Sequence, residues 1–318
     1  MTTAASLVPL VALLCALAVD RWYGEWPNAM HPVVWMGNTI RWLERWAPKA
    51  GTAGPFIYGV GMAIAVPSSF AALAWGIERV PVLNVLGGIW LLKGCLAIRM
   101  LGTAGLVVAG ALEKGDIGGA RFGLRSLCSR DASTLAAGQL AAGATESIAE
   151  NASDSFVGPL FWYAIFGLPG AAYYRAANTL DSMVGYHGKY EWLGKASARQ
   201  DDLLNIVPAR VTALLLVVAG ALVGEDWRRG LRVMWRDRRA TESPNAGWPM
   251  AAMAGLLGVV LEKPGCYRLG DGAEADAGTI RRGWRVVVAA SWIAGVAAVA
   301  AVVARACQDF RVSADGEP

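Results

Sequence analysis

The sequence predicts an all-α, polytopic integral membrane protein with about five transmembrane helices and additional interfacial or extramembrane helices. Hydrophobic residues make up 55% of the chain and charged residues only 17%, whereas a soluble domain carries roughly 25% charged residues. The chain also has fourteen Trp residues, many of them near the ends of apolar stretches, where their rings favour the lipid headgroup zone. With this composition, much of the surface is expected to contact lipid rather than water.

Four apolar stretches approach or exceed the roughly 20 residues that a helix needs to cross a bilayer. They are residues 55–77, 155–174, 205–223 and 285–304. Residues 4–19 are apolar but shorter, and residues 80–98 carry Lys93 near their centre, so both are weaker candidates. We interpret the first of these two as an anchor helix rather than a secretory signal, because residues 1–6 hold no Lys or Arg.

The hydrophilic parts of the chain indicate its organisation. Loop 225–240 is the most basic, which places it in the cytoplasm by the positive-inside rule. Residues 99–150 are predicted to form a helical extramembrane or interfacial lobe, with breaks at Gly115 and near Ser129. The chain, 1–318, is interpreted as one membrane-embedded domain that ends in a flexible tail, 305–318.

Several classes of site are disfavoured by composition. The chain has two His residues, which excludes a multi-histidine metal centre. Its five Cys residues include no CxxC pair, so structural zinc and a disulfide framework are poorly supported. The net charge of +4 is spread along the chain, and we expect no nucleic-acid partner. The common phosphate-binding loops are missing from the sequence, so a nucleotide would have to bind without them.

The first polar constellation is an acidic run just before the second apolar stretch. On a helix, Glu146, Glu150 and Asp154 are four residues apart and share one face, with Asn151 beside them. Like charges at this spacing repel one another, so the run needs a divalent cation, a nearby Arg or protonation. Oxygen ligands suit magnesium, especially when it is shared with substrate phosphates. We predict a functional carboxylate site with candidate magnesium ligands, against the alternative of a solvated acidic face.

A second polar run follows the same apolar stretch. Arg175, Asn178 and Asp181 are three residues apart and share an arc of a helix. Polar groups near membrane depth are costly and normally face a cavity or a partner. The run therefore contributes either to a substrate site or to an Arg–Asp pair that packs two helices.

A third polar run opens the next span. Asp201 and Asp202 are adjacent and are followed by Asn205 and Arg210. The two carboxylates could bind a metal or position an amine, or they could cap the start of a helix, where the dipole favours negative charge. Capping explains one of the two aspartates more readily than both.

The candidate substrate-binding residues are polar, basic or aromatic side chains in or near these runs and their loops. They are His31, Trp35, Arg125, Arg130, Asn151, Asn178, Lys189, Arg199, Asn205, Arg210 and Asn245. Arg is suited to bidentate bonds with phosphate and carboxylate. Each basic residue taken alone fits a surface cation as well.

Several stretches of the chain carry a family resemblance. They are Asp20-Arg21 with HPVVWMG (31–37), ESIAENASDSFVGPLFW (146–162), YRAANTLDSMVGY (174–186), ARQDDLLNIVPAR (198–210), SPNAGWPMAAMAGLLGV (243–259) and LEKPGCYRLG (261–270). Together they resemble the CobD/CbiB family of cobalamin biosynthesis, in the family's order and over most of the chain. Residues 50–98 and 275–318 add only apolar character.

The resemblance implies a multi-pass enzyme of the cell inner membrane that acts on a corrinoid. It would join adenosylcobyric acid to aminopropanol phosphate, or to a related amino-alcohol phosphate, giving the amide adenosylcobinamide phosphate. The family reaction is written with ATP and a divalent cation, here magnesium. In that setting the candidate magnesium ligands are Glu146, Glu150 and Asp154. The candidate proton acceptors are Asp181, Asp201 and Asp202, and the candidate phosphate-binding residues are Arg125, Arg130, Lys189 and Arg199.

Two other classes of function share the polytopic pattern with buried charges. A secondary transporter often has two related halves, and the sequence contains no such duplication. A membrane phosphotransferase acting on a lipid-linked phosphate would also use Asp and Arg beside a span. Association into homo-oligomers, or with other enzymes of the corrinoid pathway, is left open.

Overall fold

The structure is a computed structural model that describes the backbone of residues 3–315 and the side chains of residues 7–308. Helices dominate it. In chain order they are α1 (Thr3–Trp22), α2 (Pro32–Trp46), α3 (Ala53–Arg79), α4 (Leu83–Cys95), α5 (Ile98–Glu113), α6 (Ile117–Leu124), α7 (Ala137–Ala152), α8 (Gly158–Val184), α9 (Lys195–Leu222), α10 (Trp227–Asp237), α11 (Gly247–Leu257) and α12 (Ala277–Asp315). A short 3-10 helix, Asn28–Met30, precedes α2, and a π-helical turn, Ser153–Val157, joins α7 to α8.

Five helical segments of the described residues are long and apolar enough to cross a membrane. They are Ala53–Arg79, Leu83–Glu113, Ala137–Val184, Lys195–Leu222 and Ala277–Gln308. The prediction of an all-α, polytopic membrane protein with about five spans is therefore confirmed. The segment that contains Lys93, which the sequence made a weak candidate, is one of the five.

The chain divides into two compact units. Unit 1 comprises residues 1–97, 158–204 and 295–318, and unit 2 comprises residues 98–157 and 205–294. The expected organisation as one membrane-embedded domain, 1–318, stays a prediction beside this division into two units. Each unit takes its residues from separate parts of the chain.

Helix α8, in unit 1, reverses direction at Gly167. This residue has φ 69° and ψ −156°, a conformation that glycine adopts readily because it has no Cβ. A Cβ added to Gly158 would lie 2.4 Å from the ring of Tyr174, although 16 residues of straight helix extend roughly 24 Å. The two legs, 158–166 and 168–184, must therefore lie side by side. The predicted single span over 155–174 is wrong, because the Gly167 break turns the chain back within it.

The break in α8 is capped on both sides by charged residues of other helices. Glu78, at the end of α3, accepts a hydrogen bond from the backbone N–H of Leu168 at 3.1 Å. Arg305, on α12, donates to the carbonyl oxygen of Ile165 at 3.1 Å. A carboxylate at a helix start and a cation at a helix end both complement the helix dipole. These contacts satisfy backbone groups that the reversal would otherwise leave exposed.

Helix α7 forms the interior of unit 2. Its residues from Leu140 to Ala149 are all buried, and many are Ala or Gly, which allow neighbouring helices to approach closely. A Cβ on Gly105 of α5 would lie 2.4 Å from the side chain of Ile148. Neighbouring elements therefore cover this stretch of α7 on every side.

A small three-stranded sheet completes unit 2 and was not predicted. Strand β1 (Val259–Lys263) follows the left-handed Gly258 that ends α11. It pairs antiparallel with β2 (Tyr267–Leu269) and parallel with β3 (Ala273–Glu274). In the antiparallel pairing Lys263 lies opposite Tyr267, so the hairpin fixes the backbone position of Tyr267.

Two predictions of organisation are left open. Residues 99–150 contain α5, α6 and most of α7, and their position outside the membrane stays a prediction. Of the predicted flexible tail 305–318, α12 continues to Asp315, and residues 316–318 lie outside the described residues. Its flexibility also stays a prediction.

Candidate functional site

The most buried carboxylate of the acidic run is Glu146, which is 2% exposed. Its Oε2 accepts a hydrogen bond from Arg130 Nη2 at 2.5 Å and another from the hydroxyl of Tyr267 at 3.2 Å. Arg130 Nη2 also donates to the Tyr267 hydroxyl at 3.3 Å. The three side chains form a closed triangle in unit 2. Glu146 is therefore held in place by a cation and a phenol rather than by its neighbours in the acidic run.

The charges within this triangle reinforce one another. Burial lowers the pKa of the Arg130 guanidinium, but the charge and hydrogen bond of Glu146 outweigh it, so the pKa is raised overall. Burial, together with the negative charge of Glu146, raises the pKa of Tyr267 far above its ordinary value. The structure thus keeps Arg130 charged and Tyr267 protonated, and Tyr267 acts as a hydrogen-bond donor.

The three acidic residues 146, 150 and 154 do not form a metal site among themselves. Among the described residues, no group of three or more His, Cys, Asp or Glu side chains could hold a metal ion. One reason is that Glu146 is bound to Arg130 and Tyr267. Another is the π-helical turn that starts at Ser153, because such a turn has more residues than an α-helical turn and changes the four-residue spacing before Asp154. The predicted magnesium ligands Glu146, Glu150 and Asp154 thus do not fit a resident ion held by protein side chains alone.

Asn151 is partly engaged within its own helix. Its Nδ2 donates to the carbonyl oxygen of Ser147 at 2.9 Å, and its own carbonyl oxygen accepts from Ser155 Oγ. These bonds stabilise the junction between α7 and the π-helical turn. A substrate-binding role for Asn151 stays a prediction.

In unit 1, the second and third polar runs meet. Asn178 Nδ2, on the second leg of α8, donates to Asp201 Oδ1 on α9 at 3.1 Å. The neighbouring residue on α9, Gln200, donates from its Nε2 to the hydroxyl of Tyr173 on α8 at 2.8 Å. Two runs that are separate in sequence therefore form one polar surface between two helices, and Asn178 is 8% exposed there.

Asp181 lies at the end of this polar surface. Asp201 and Asp202 are close enough to Asp181 to interact with it electrostatically. Its Oδ1 is buried and has no hydrogen-bond partner among the described residues. A Cβ on Gly185 would lie 1.9 Å from that oxygen, so only glycine leaves room for it. A carboxyl oxygen in such a position is suited to accept a proton.

The candidate cations have different surroundings. Arg199 is 79% exposed on its side chain and lies 3.7 Å from Asp202, so it stands beside the Asp181 surface. Lys189 is 75% exposed and pairs with Glu44 at 3.3 Å. Arg125 is exposed at the end of α6. Of the four predicted phosphate-binding residues, Arg130 is partly buried in an ion pair with a buried carboxylate, and Arg199 is the one next to carboxylates of the third run.

Arg210 and Asn245, predicted separately, are brought together in unit 2. Arg210 Nη1 donates to Asn245 Oδ1 at 2.8 Å, and its guanidinium stacks over Trp248 with 4.8 Å to the ring centroid. Asn205, five residues before Arg210 on the same helix, is 2% exposed. The turn that contains Asn245, just before α11, is thus fixed against α9 by an arginine.

His31 caps the start of α2. Its Nδ1 accepts a hydrogen bond from the Val33 backbone N–H at 3.2 Å, and its Nε2 lies 2.9 Å from Glu25 Oε2. Because Nδ1 accepts, the ring proton must be on Nε2, and the imidazole is neutral and donates to Glu25. Trp35 is 40% exposed and lies 5.0 Å from the ring of Trp90. His31 therefore has a structural role in this arrangement, and substrate binding by either residue stays a prediction.

Sequence reasoning missed a buried charge network around Lys93. Lys93 is fully buried, and its Nζ lies 3.2 Å from Asp20 Oδ1 and 2.9 Å from Glu25 Oε2. It also donates to the Leu96 carbonyl oxygen. Burial raises the pKa of Glu25, but His31 and Lys93 outweigh it, so this pKa is lowered below 4.5. The signal was present, because a lysine within an apolar helix needs a partner.

Tyr267 is the second missed residue. Its position in the stretch 261–270 was part of the family resemblance, but nothing in the local sequence pairs a tyrosine with Glu146, which is 121 residues away. The β1–β2 hairpin creates that contact.

Comparison with known proteins confirms the family resemblance that the sequence motifs carried. The family model described as CobD/Cbib protein matches residues 13–286. The chain is 47% identical over 269 residues to the cobalamin biosynthesis protein CobD of Dehalococcoides mccartyi, covering 82% of this chain and 87% of that protein. It is 43% identical to the probable cobalamin biosynthesis protein CobD of Methanothermobacter thermautotrophicus, covering 81% and 86%. It is 40% identical to the cobalamin biosynthesis protein CobD of Photorhabdus laumondii, covering 81% of this chain and 83% of that protein. No solved structure matches the chain. The chain belongs to the CobD/CbiB family.

Proposed function

We propose that this member of the CobD/CbiB family is the enzyme of cobalamin biosynthesis that joins adenosylcobyric acid to aminopropanol phosphate, or a related amino-alcohol phosphate, by an amide bond. The names of its relatives support a role in cobalamin biosynthesis. The proposed location is the cytoplasmic membrane, in which the five candidate spans would embed the protein.

The observation that carries the reaction type is the polar surface of unit 1. The amino-alcohol phosphate is a small molecule with an ammonium group at one end and a phosphate at the other. Helix α9 presents the carboxylates Asp201 and Asp202 close to the exposed cation Arg199, and Asp181 lies near those carboxylates. This juxtaposition of charges complements such a molecule, with the ammonium toward the aspartates and the phosphate toward Arg199.

The chemistry requires an activated acid and a free amine. A carboxylate oxygen of the corrinoid attacks the terminal phosphorus of ATP, the bond to ADP breaks, and an acyl phosphate forms. The ammonium gives one proton to Asp181, and the resulting amine attacks the acyl carbon. The carbon–oxygen bond to phosphate then breaks, and the second nitrogen proton leaves with the phosphate. General-base catalysis of this kind contributes roughly 10²–10⁴-fold in rate.

Magnesium enters this proposal with ATP, as part of the co-substrate. Such an ion is held chiefly by phosphate oxygens and waters and needs only one or two protein carboxylates. Within the acidic run, Glu146 is bound to Arg130 and Tyr267, and a contact of this ion with Glu150 or Asp154 stays a prediction. No reaction step depends on a resident metal.

The test is a reconstituted reaction. Purified full-length protein in nanodiscs is supplied with adenosylcobyric acid, aminopropanol phosphate and magnesium ATP, and the products are separated by chromatography. Formation of the amide, dependent on all three reagents, supports the proposal. Solute flux into vesicles without covalent change would instead indicate a transporter. Phosphoryl transfer to lipid without dependence on corrinoid would indicate a phosphotransferase.

A further inference from the structure

Helix α10 packs against the rest of unit 2 mainly through one face. Gly230, Val233 and Met234 are buried, and they pack against α11. A Cβ on Gly255 of α11 would lie 2.8 Å from both the Gly230 Cα and the Val233 Cβ. The two helices are therefore in close backbone contact on this side. On the side that carries Trp227, Leu231 and Trp235, the side chains stay largely exposed, although the Trp235 ring lies 5.7 Å from that of Trp248.

One open face of α10 is apolar. Trp227, Leu231 and Trp235 are four residues apart and so lie on one side of the helix. Their exposed fractions are 43%, 41% and 59%. Three large exposed side chains in a row are unfavourable in water, since burying such a side chain is worth roughly 1.5–3 kcal/mol. A stripe of this kind marks a contact surface.

Next to this apolar stripe lie two arginines without a carboxylate partner. Arg228 and Arg232 are exposed, and neither forms an ion pair with any residue that the structure describes. The next two arginines around the helix differ, because Arg229 and Arg236 contact Asp271 at 2.9 and 2.7 Å. The charges on one side of α10 are thus neutralised within the protein, and those beside the apolar stripe are not.

We propose that α10 lies in the plane of the membrane interface and binds the phosphate headgroup of an anionic phospholipid through Arg228 and Arg232. The Trp227–Leu231–Trp235 stripe enters the acyl boundary, where Trp rings are favoured. The unpaired positive charges then face the headgroups, to which each arginine contributes attraction. Charge complementarity selects a negatively charged lipid over a zwitterionic one, and this surface is independent of the proposed amide-forming chemistry.

The experiment measures lipid selectivity directly. Full-length protein in a neutral detergent is titrated with short-chain phosphatidylglycerol or with phosphatidylcholine of the same chain length, and bound lipid is counted by native mass spectrometry. The unmodified protein is expected to prefer phosphatidylglycerol, and the preference should weaken as ionic strength rises. In R228Q/R232Q the affinity for phosphatidylglycerol should fall roughly tenfold to thirtyfold, while the affinity for phosphatidylcholine stays the same.

Two controls make the result specific. K114Q/R268Q removes two exposed positive charges elsewhere in unit 2 and should keep the preference. R228K/R232K keeps the charge and should retain most of the preference, which separates loss of charge from loss of fold. An unchanged preference in R228Q/R232Q, an equal loss in K114Q/R268Q, or equally tight binding of soluble glycerol phosphate would overturn the assignment to lipid.

Discussion

Asn178 donates a hydrogen bond to Asp201 across 3.1 Å and joins two polar runs that are 23 residues apart in the sequence. The contact joins α9 to the leg of α8 that follows the reversal at Gly167. It places Asp201 in a fixed position relative to Asp181, and the proposed reaction uses that surface.

The Asn178–Asp201 bond should be measurable as a coupling energy. Hydrogen bonds to charged groups contribute about 1.5–3 kcal/mol, so N178A and D201A should each destabilise the protein and the double variant should cost less than their sum. Unfolding in detergent, followed by circular dichroism for all four members of the cycle, gives the coupling. If the destabilisations of N178A and D201A simply add in the double variant, the bond contributes nothing to stability.

Asp181→Asn should abolish most of the turnover while leaving substrate affinity intact. The amide cannot accept the ammonium proton, so the rate of amide formation should fall roughly 10²–10⁴-fold. Corrinoid binding, followed by its visible absorbance, should change little. Glu191→Gln is the matched control, since Glu191 is a carboxylate of unit 1 that is engaged with His187. Normal turnover in D181N would remove Asp181 from the mechanism.

Glu146→Gln should destabilise unit 2 strongly. The substitution leaves the Arg130 guanidinium largely buried without its counter-charge, and breaking a buried ion pair on one side costs about 3–5 kcal/mol. The double variant R130M/E146L removes both charges and should recover much of the loss. A thermal-melting series of the three proteins checks this order, and equal instability of the single and double variants would contradict the ion-pair explanation.

The stability of unit 1 should fall in acid because of Glu25. Its pKa is lowered in the folded protein, despite burial, by His31 and Lys93. A lowered carboxylate pKa means that the stabilisation is complete above the unfolded value of about 4.5 and is lost as the pH falls through the folded value. Glu25→Gln should be less stable than the unmodified protein at neutral pH and should lose less stability below about pH 4.5. Parallel stability curves for the two proteins would refute this role.

Gly158→Ala should disturb the reversal of α8. The added Cβ would lie 2.4 Å from the Tyr174 ring, and overpacking of this kind costs about 1–3 kcal/mol. Gly61→Ala is the control in the same unit, because a Cβ there meets nothing within 4 Å and alanine favours a helix. Melting temperatures of both variants test the prediction. Equal melting temperatures would show that the two legs can separate without loss.

The resemblance carried by the polar runs was specific enough to predict the family, and the composition predicted the class of fold. Both predictions are confirmed. The class of fold could be predicted because the length and hydrophobicity of a membrane span are properties of local sequence. The same local reasoning went wrong for residues 155–174. A single glycine in a long apolar stretch does not predict a reversal of the helix. The reversal is visible only in the packing of Gly158 against Tyr174.

The sequence by itself determined that this chain is a helical membrane protein with carboxylates and cations concentrated in its central part. Only the tertiary structure decided which of these charges are partners. Glu146 belongs to Arg130 and Tyr267, Asp201 to Asn178, and Lys93 to Asp20 and Glu25. The physical reason is that the cost of a buried charge is a property of the residue itself, whereas the group that offsets this cost can come from anywhere in the chain.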